Sequence, residues 1–196
     1  KGQWDFSAVG AIRRFSGPKA GIVGCGRIGS LVIQMLRGFG IEVMVHDPYL
    51  SERRQSELGI HCMPLETVLG EADMVTIHPA LTHETKYMIG ERELRMMNPT
   101  AIIVNTARGA IVNAEALARA CKEGWIAGAG IDVFEKEPPE ETFVLRGIPN
   151  IILTPHLAWY SEDAGVSIRE KIMEDIKRFL EGRPPRFPIS TINAKR

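Results

Sequence analysis

Gly21-Ile22-Val23-Gly24-Cys25-Gly26-Arg27-Ile28-Gly29 is the stretch that decides the fold. Lys19 to Val23 is a short apolar run, and glycines follow it at G-x-G-x-x-G spacing. Beyond them Ile28, Leu31, Val32, Met35, Leu36 and Phe39 recur at i, i+3, i+4 and i+7, a helical period that Gly40 closes. A strand, a glycine turn and a helix in this order make a cradle for phosphate. Gly24 permits the tight turn, Gly26 lets the backbone approach a pyrophosphate, and Gly29 lets the helix pack on the strand. The helix N-terminus adds N–H groups and partial positive charge. Next, Ile41 to His46 reads as a buried strand ending at Asp47, 18 positions after Gly29. That is close to the ~20 expected of a carboxylate that holds a ribose diol. A carboxylate there repels a 2′-phosphate and so favours NAD over NADP. The alternative is a glycine-rich turn without a ligand, with Asp47 as a cap. Arg53 and Arg54 lie close enough to complicate the preference, although a solvated helix face suits them better. Cys25 reads either as a redox-sensitive thiol or, better, as a small residue filling a small space.

Outward from this unit, apolar strands alternate with short helices. Met74 to Ile77, Ala101 to Val104, Ala127 to Val133 and Ile151 to Leu153 read as strands. Ser51 caps a helix stopped by Gly59, and Asn113 caps one that ends at Gly124. Such alternation predicts an α/β fold, a doubly wound parallel sheet covered on both faces, with right-handed crossovers. Residues 3 to 15 look helical. Ser161 to Glu181 reads as a long amphipathic helix, with Ile168, Ile172, Ile176, Phe179 and Leu180 on one face. The expected division is a linker helix and lead-in over 1–18, a dinucleotide-binding domain over 19–157, a long helix over 158–183 and a tail over 184–196.

The composition agrees. The chain has 196 residues, 24 basic and 24 acidic side chains, 44% apolar residues and three cysteines. A chain of this size buries roughly 70% of its unfolded surface, so a sizeable core is expected. Balanced charge argues against a nucleic-acid surface and against an adsorbed basic membrane face. No apolar run approaches the ~20 residues that span a bilayer. Cys25, Cys62 and Cys121 are widely spaced and odd in number, which suits neither a disulfide framework nor a metal cluster and fits the reducing cytoplasm. The chain opens on Lys1 and lacks a signal-peptide pattern, as an internal piece of a longer protein would.

Three segments carry ionisable groups just past strands: Asn105-Thr106-Ala107-Arg108-Gly109, Asp132-Val133-Phe134-Glu135-Lys136-Glu137-Pro138 and Thr154-Pro155-His156. Ligands of open α/β sheets bind beyond the carboxyl ends of the strands, so all three point toward the cofactor cleft. Arg, Glu and His beside a nicotinamide suit reversible ketone reduction. A histidinium gives the carbonyl oxygen its proton, a carboxylate raises the imidazole pKa and fixes its tautomer, and an arginine clamps a substrate carboxylate. On this reading His156 is the acid/base, Glu137 orients it and Arg108 anchors substrate. Each has another reading on its own: a surface salt-bridge partner, a turn histidine, a solvated loop charge.

Together, in this order, these segments and Asp47-Pro48-Tyr49 resemble the nucleotide-binding domain of the D-isomer-specific 2-hydroxyacid dehydrogenases, from about Trp4 to Pro184. The resemblance implies a Rossmann fold, an NAD cofactor and a small 2-keto or 2-hydroxy acid substrate. It makes Arg108, Glu137 and His156 the catalytic trio, with Glu135 a decoy. It gives Arg27 and Ile28 to the pyrophosphate and Asp47 to the adenosine ribose. Thr106 and Ala107 match the segment beside the nicotinamide, Asp132 a position that holds its carboxamide, and His78 a position lining the cleft. It further implies a homodimer formed through the nucleotide-binding domains. The family's substrate domain is largely absent, so this chain is expected to bind NAD and to reduce 2-keto acids poorly. Trp159-Tyr160-Ser161-Glu162 departs from the commoner small residues and is similar to the C-terminal-binding-protein corepressors. That leaves an NAD(H)-sensing interaction module as the alternative. Trp159 then packs either over a substrate or at a domain boundary.

Overall fold

The computed structural model describes residues 17–186. The helix expected over residues 3–15, Trp4, most of the lead-in and the tail from residue 187 lie outside the described residues. Six strands form one sheet: β1 (Lys19–Val23), β2 (Glu42–His46), β3 (Met74–Ile77), β4 (Ile102–Asn105), β5 (Gly128–Ile131) and β6 (Ile151–Leu153). Their order is β2-β1-β3-β4-β5-β6, and every pairing is parallel. Parallel neighbours need crossovers, which α1 (Arg27–Gly38), α2 (Glu52–Leu58), α3 (Leu65–Glu71), α4 (Glu91–Met96) and α5 (Ala114–Lys122) help supply. A final helix, α6 (Glu162–Leu180), follows β6.

The alternation of side chains across a strand explains the two cores. Ile22 packs with Ile33, Val45, Leu58 and Ile60, whereas its neighbour Val23 belongs to a second cluster with Leu69, Ile77, Ile103 and Leu117. Both sheet faces are therefore covered. The strand order reverses at β1, between β2 and β3, and a crevice at such a reversal is where a ligand of this architecture sits.

Local signals placed most elements well. The Ser51 side chain accepts the Arg54 N–H and Gly59 ends α2 in the left-handed region, while Asn113 accepts the Ala116 N–H to start α5. Three differences have physical causes. Helices α3 and α4 are one to two turns long and were not anticipated; α4 begins where the Glu93 carboxylate accepts the Gly90 N–H. Strand β5 is shorter than Ala127 to Val133, because the chain turns toward Asp132 once pairing with β4 is complete. The apolar stripe of α1 also divides. Gly29, Ser30 and Ile33 face the sheet, but Ile28, Leu31, Met35 and Phe39 are exposed. Period locates that helix without naming its buried face. Helix α6 buries none of its residues, and Ile168, Ile172, Ile176, Phe179 and Leu180 are exposed.

Candidate active site

The turn between β1 and α1 uses its three glycines differently. Gly24 has φ +86°, and a Cβ there would meet the Pro79 nitrogen at 2.5 Å. A Cβ on Gly29 would stand 2.2 Å from the Gly24 carbonyl oxygen. Both are required by the fold itself. A Cβ on Gly26 would meet nothing within 4 Å. Gly26 thus borders open space where a phosphate can approach the backbone. Helix α1 has no side-chain cap and no acidic residue in its first turn, so its positive end is left to an external anion. These features fit a dinucleotide pyrophosphate, with Arg27 and Ile28 placed in that first turn.

Beside the turn lies a cavity of ≈620 Å³, a size usual for small-molecule sites. Gly24, Gly26, Asp47 and His78 line it together, with Tyr49 and Glu84. Asp47 Oδ2 accepts the Cys25 N–H at 2.8 Å and Oδ1 accepts the Tyr49 N–H at 3.0 Å, so the carboxylate is fixed against the glycine turn. His78 Nε2 lies 3.0 Å from the Thr76 hydroxyl, and burial pushes its imidazole below the usual histidine range. Arg53 and Arg54 both pair with Glu57 on α2, the solvated-face arrangement. Cys25 is buried and its thiol is pushed up, chiefly by burial, as befits a space-filling residue. Among the described residues no group of three or more His, Cys, Asp or Glu side chains is placed to hold a metal ion.

The ionisable loops follow β4, β5 and β6, which are adjacent strands. After β4, buried Asn105 folds the turn: its Oδ1 accepts the Ala107 N–H and its Nδ2 donates to the Arg108 carbonyl, both at 3.0 Å. A Cβ on Gly109 would meet the Phe134 carbonyl carbon at 2.1 Å, so the Arg108 turn rests directly on the loop after β5. Arg108 itself is exposed and donates to the Ala107 carbonyl.

That second loop carries two carboxylates with separate tasks. Asp132 is buried and accepts the Thr154 hydroxyl and the Leu157 N–H on one oxygen, and the Ala158 N–H on the other. Burial alone would push its carboxyl up, but these donors outweigh burial and hold it below the usual range. It pins the backbone on either side of His156, which has φ +52°, an uncommon conformation for a non-glycine residue. Glu137 Oε1 accepts the Phe134 N–H at 2.9 Å, and Oε2 lies 2.7 Å from His156 Nδ1. The His156 hydrogen bond, the Phe134 amide and the nearby Arg108 charge hold the Glu137 carboxyl below the usual range. The decoy Glu135 is instead taken by the Tyr87 hydroxyl at 2.6 Å.

Two groupings result. Gly24, Gly26, Asp47 and His78 share the cavity. Arg108, Glu137 and His156 come together at the ends of β4 to β6, outside that cavity, with the His156 and Glu137 side chains 42% and 37% exposed. Thr106 and Ala107 lie in the Arg108 turn. Trp159 is exposed and packs edge-on against Tyr160, with ring centroids 5.5 Å apart. Sequence reasoning assigned no role to Asn105, although an Asn at a strand end is a turn former. Nor did it find the tethering by Asp132, whose donors lie 22 to 26 positions away.

Comparison with known proteins places the chain among relatives of this fold. The family model "D-isomer specific 2-hydroxyacid dehydrogenase, NAD binding domain" matches residues 1–158. A glyoxylate reductase of Korarchaeum cryptofilum is 45% identical over 169 residues, 86% of this chain and 51% of that protein. One from Thermococcus litoralis is 40% identical over 192 residues, 94% of this chain and 57% of its own. The crystal structure of D-lactate dehydrogenase with NAD+ from Lactobacillus jensenii superposes with TM-score 0.84 at 26% identity, over 96% of this chain and 60% of that one. The chain spans about half the length of the curated relatives it matches. These relatives are reductases and dehydrogenases and give the corepressor-like alternative no support.

Proposed function

The chain belongs to the D-isomer specific 2-hydroxyacid dehydrogenases through their NAD-binding domain, and from that premise we propose that it serves hydride transfer between NAD and a small 2-keto or D-2-hydroxy acid. One observation carries the reading: the 2.7 Å contact of His156 Nδ1 with a carboxylate that Phe134 already orients, beside the Arg108 turn. With Nδ1 as the donor to Glu137, the tautomer is set and Nε2 is left to exchange a proton with substrate oxygen. Arg108 anchors the substrate carboxylate and polarises the adjacent carbonyl. The nicotinamide, when bound, supplies or takes the hydride. Gly24, Gly26, Arg27, Ile28 and Gly29 hold the pyrophosphate, Asp47 the adenosine ribose, and His78 the wall of the cleft. Thr106 and Ala107 flank the nicotinamide, and Asp132 meets its carboxamide with the accepting capacity its tethers leave. Trp159 closes over substrate.

The division at residues 18, 157 and 183 belongs to the same proposal. So does a homodimer, favoured by the exposed apolar faces of α1 and α6. Unpaired cysteines favour the cytoplasm, and among the described residues no helix is long and apolar enough to cross a membrane. Glyoxylate is the first substrate to try, since it is what the named relatives reduce by their names. The test follows NADH binding by fluorescence and NADH oxidation by absorbance, with glyoxylate and other 2-keto acids. The 196-residue chain should bind NADH but turn over slowly, because its acid/base pair is open to water. Failure to bind NADH would overturn the reading; rapid turnover would overturn the view that the exposed trio is incomplete.

A further inference from the structure

The cavity beside the glycine turn has an unusual charge pattern. Among the described residues lining it are two carboxylates, Asp47 and Glu84, and no lysine or arginine. Asp47 follows β2, whereas Glu84 lies on the loop between β3 and α4. Tyr49 joins them. Its backbone N–H donates to Asp47 Oδ1, and its hydroxyl donates to Glu84 Oε2. One residue thus ties the carboxylate of one wall to that of the other. Arg53 and Arg54 on α2 both pair with Glu57, whose single charge offsets one of their two.

We propose that Glu84, held across the cavity by Tyr49, is a second specificity residue that excludes a 2′-phosphate from the adenosine ribose. This rests on the reading that Asp47 faces that ribose. A phosphate monoester carries close to two negative charges at neutral pH. In a pocket whose described lining carries two carboxylates and no lysine or arginine, each carboxylate repels it, while an uncharged ribose diol feels neither repulsion. Removing one of two acidic groups should therefore leave NADH binding in place and improve NADPH binding. Glu84 makes no backbone contact that holds the glycine turn, in contrast to Asp47, so its charge can be removed without disturbing the phosphate cradle.

Equilibrium fluorescence titrations of the 196-residue chain with NADH and with NADPH test this. Glu84→Gln keeps an acceptor for Tyr49 and removes the charge. It should tighten NADPH binding by about tenfold, the scale of one charge acting at a partly solvated site, and leave NADH within about twofold. Tyr49→Phe frees Glu84 without removing its charge and should give a smaller gain for NADPH. Unchanged NADPH affinity in Glu84→Gln, with NADH still bound, overturns the proposal alone. Unchanged NADPH affinity in Tyr49→Phe overturns the part given to the tyrosine. Binding of neither nucleotide by the parent chain overturns the cofactor reading and this proposal with it.

Discussion

Around the glycine turn, Gly24, Gly26, Asp47 and His78 line a single cavity of ≈620 Å³ built from β1, β2, β3 and the loops that follow them. Around His156, three loops from β4, β5 and β6 present their side chains on an open face, with the imidazole 42% exposed. Backbone dominates the first region: close glycine approaches, a helix N-terminus and a carboxylate bonded to main-chain amides. Side chains dominate the second, held by two carboxylates each of whose oxygens is engaged by a protein group. The first region draws on one continuous stretch, from Val23 at the end of β1 to Met88 in the loop after β3. The second assembles a pair of groups that work best when water is excluded, and the described residues leave them in water. Binding and chemistry should therefore separate when each region is perturbed.

The largest effect belongs to the open region. In any longer form of the protein that turns over, His156→Gln should lower kcat by roughly 10²–10⁴, the range for losing a general acid/base. NADH affinity, read by fluorescence, should stay within about twofold. A parallel loss of NADH affinity would show that the two regions are one unit. In the glycine-turn region the glycines allow a finer cut. Gly26→Ala should weaken NADH roughly ten- to hundredfold, the scale of one or two lost hydrogen bonds to a charged group, with an unchanged melting temperature. Gly29→Ala, which drives a Cβ to 2.2 Å from a carbonyl oxygen, should instead lower the melting temperature by roughly 5–10 °C. Equal stability losses from both would erase the distinction between glycines kept for the fold and one kept for the ligand.

The same contrast explains what was legible in the sequence. The glycine spacing, the apolar run before it and Asp47 after it are local, and local pattern was enough to place β1, α1 and β2 within a residue or so. The Ser51 and Asn113 caps were equally legible, because each bonds an amide only three positions on. The grouping of Arg108 with Glu137 and His156 follows from parallel topology, since adjacent parallel strands end on one side of the sheet. What stayed hidden depends on particular distant contacts. Which side of α1 is buried is decided by the sheet. That Asp132 ties down the Thr154–Ala158 segment requires knowing that two loops far apart in the chain are neighbours. That Tyr49 reaches Glu84 requires the position of a loop 35 residues away. Short helices such as α4 carry too few turns for a period to show.

The smallest effect tests how firmly Glu137 holds the acid/base. Its carboxyl is kept below the usual range chiefly by the His156 hydrogen bond, then by the Phe134 amide. A carboxyl depressed on folding stabilises the protein above the ordinary glutamate value of about 4.3. That contribution is lost as pH falls through the lower folded value. The melting temperature of Glu137→Gln should therefore lie below that of the parent at neutral pH. The gap should be no more than about 2–4 °C, because the pair is well exposed. It should close as the pH falls through that lowered folded value, where the parent's carboxyl is protonated too. Phe134→Ala would not imitate this pattern, since it keeps the amide that Glu137 accepts and loses side-chain packing at every pH. A gap that persists undiminished into acid would mean that Glu137 acts by shape alone, and that the His156 region is held as rigidly as the glycine turn.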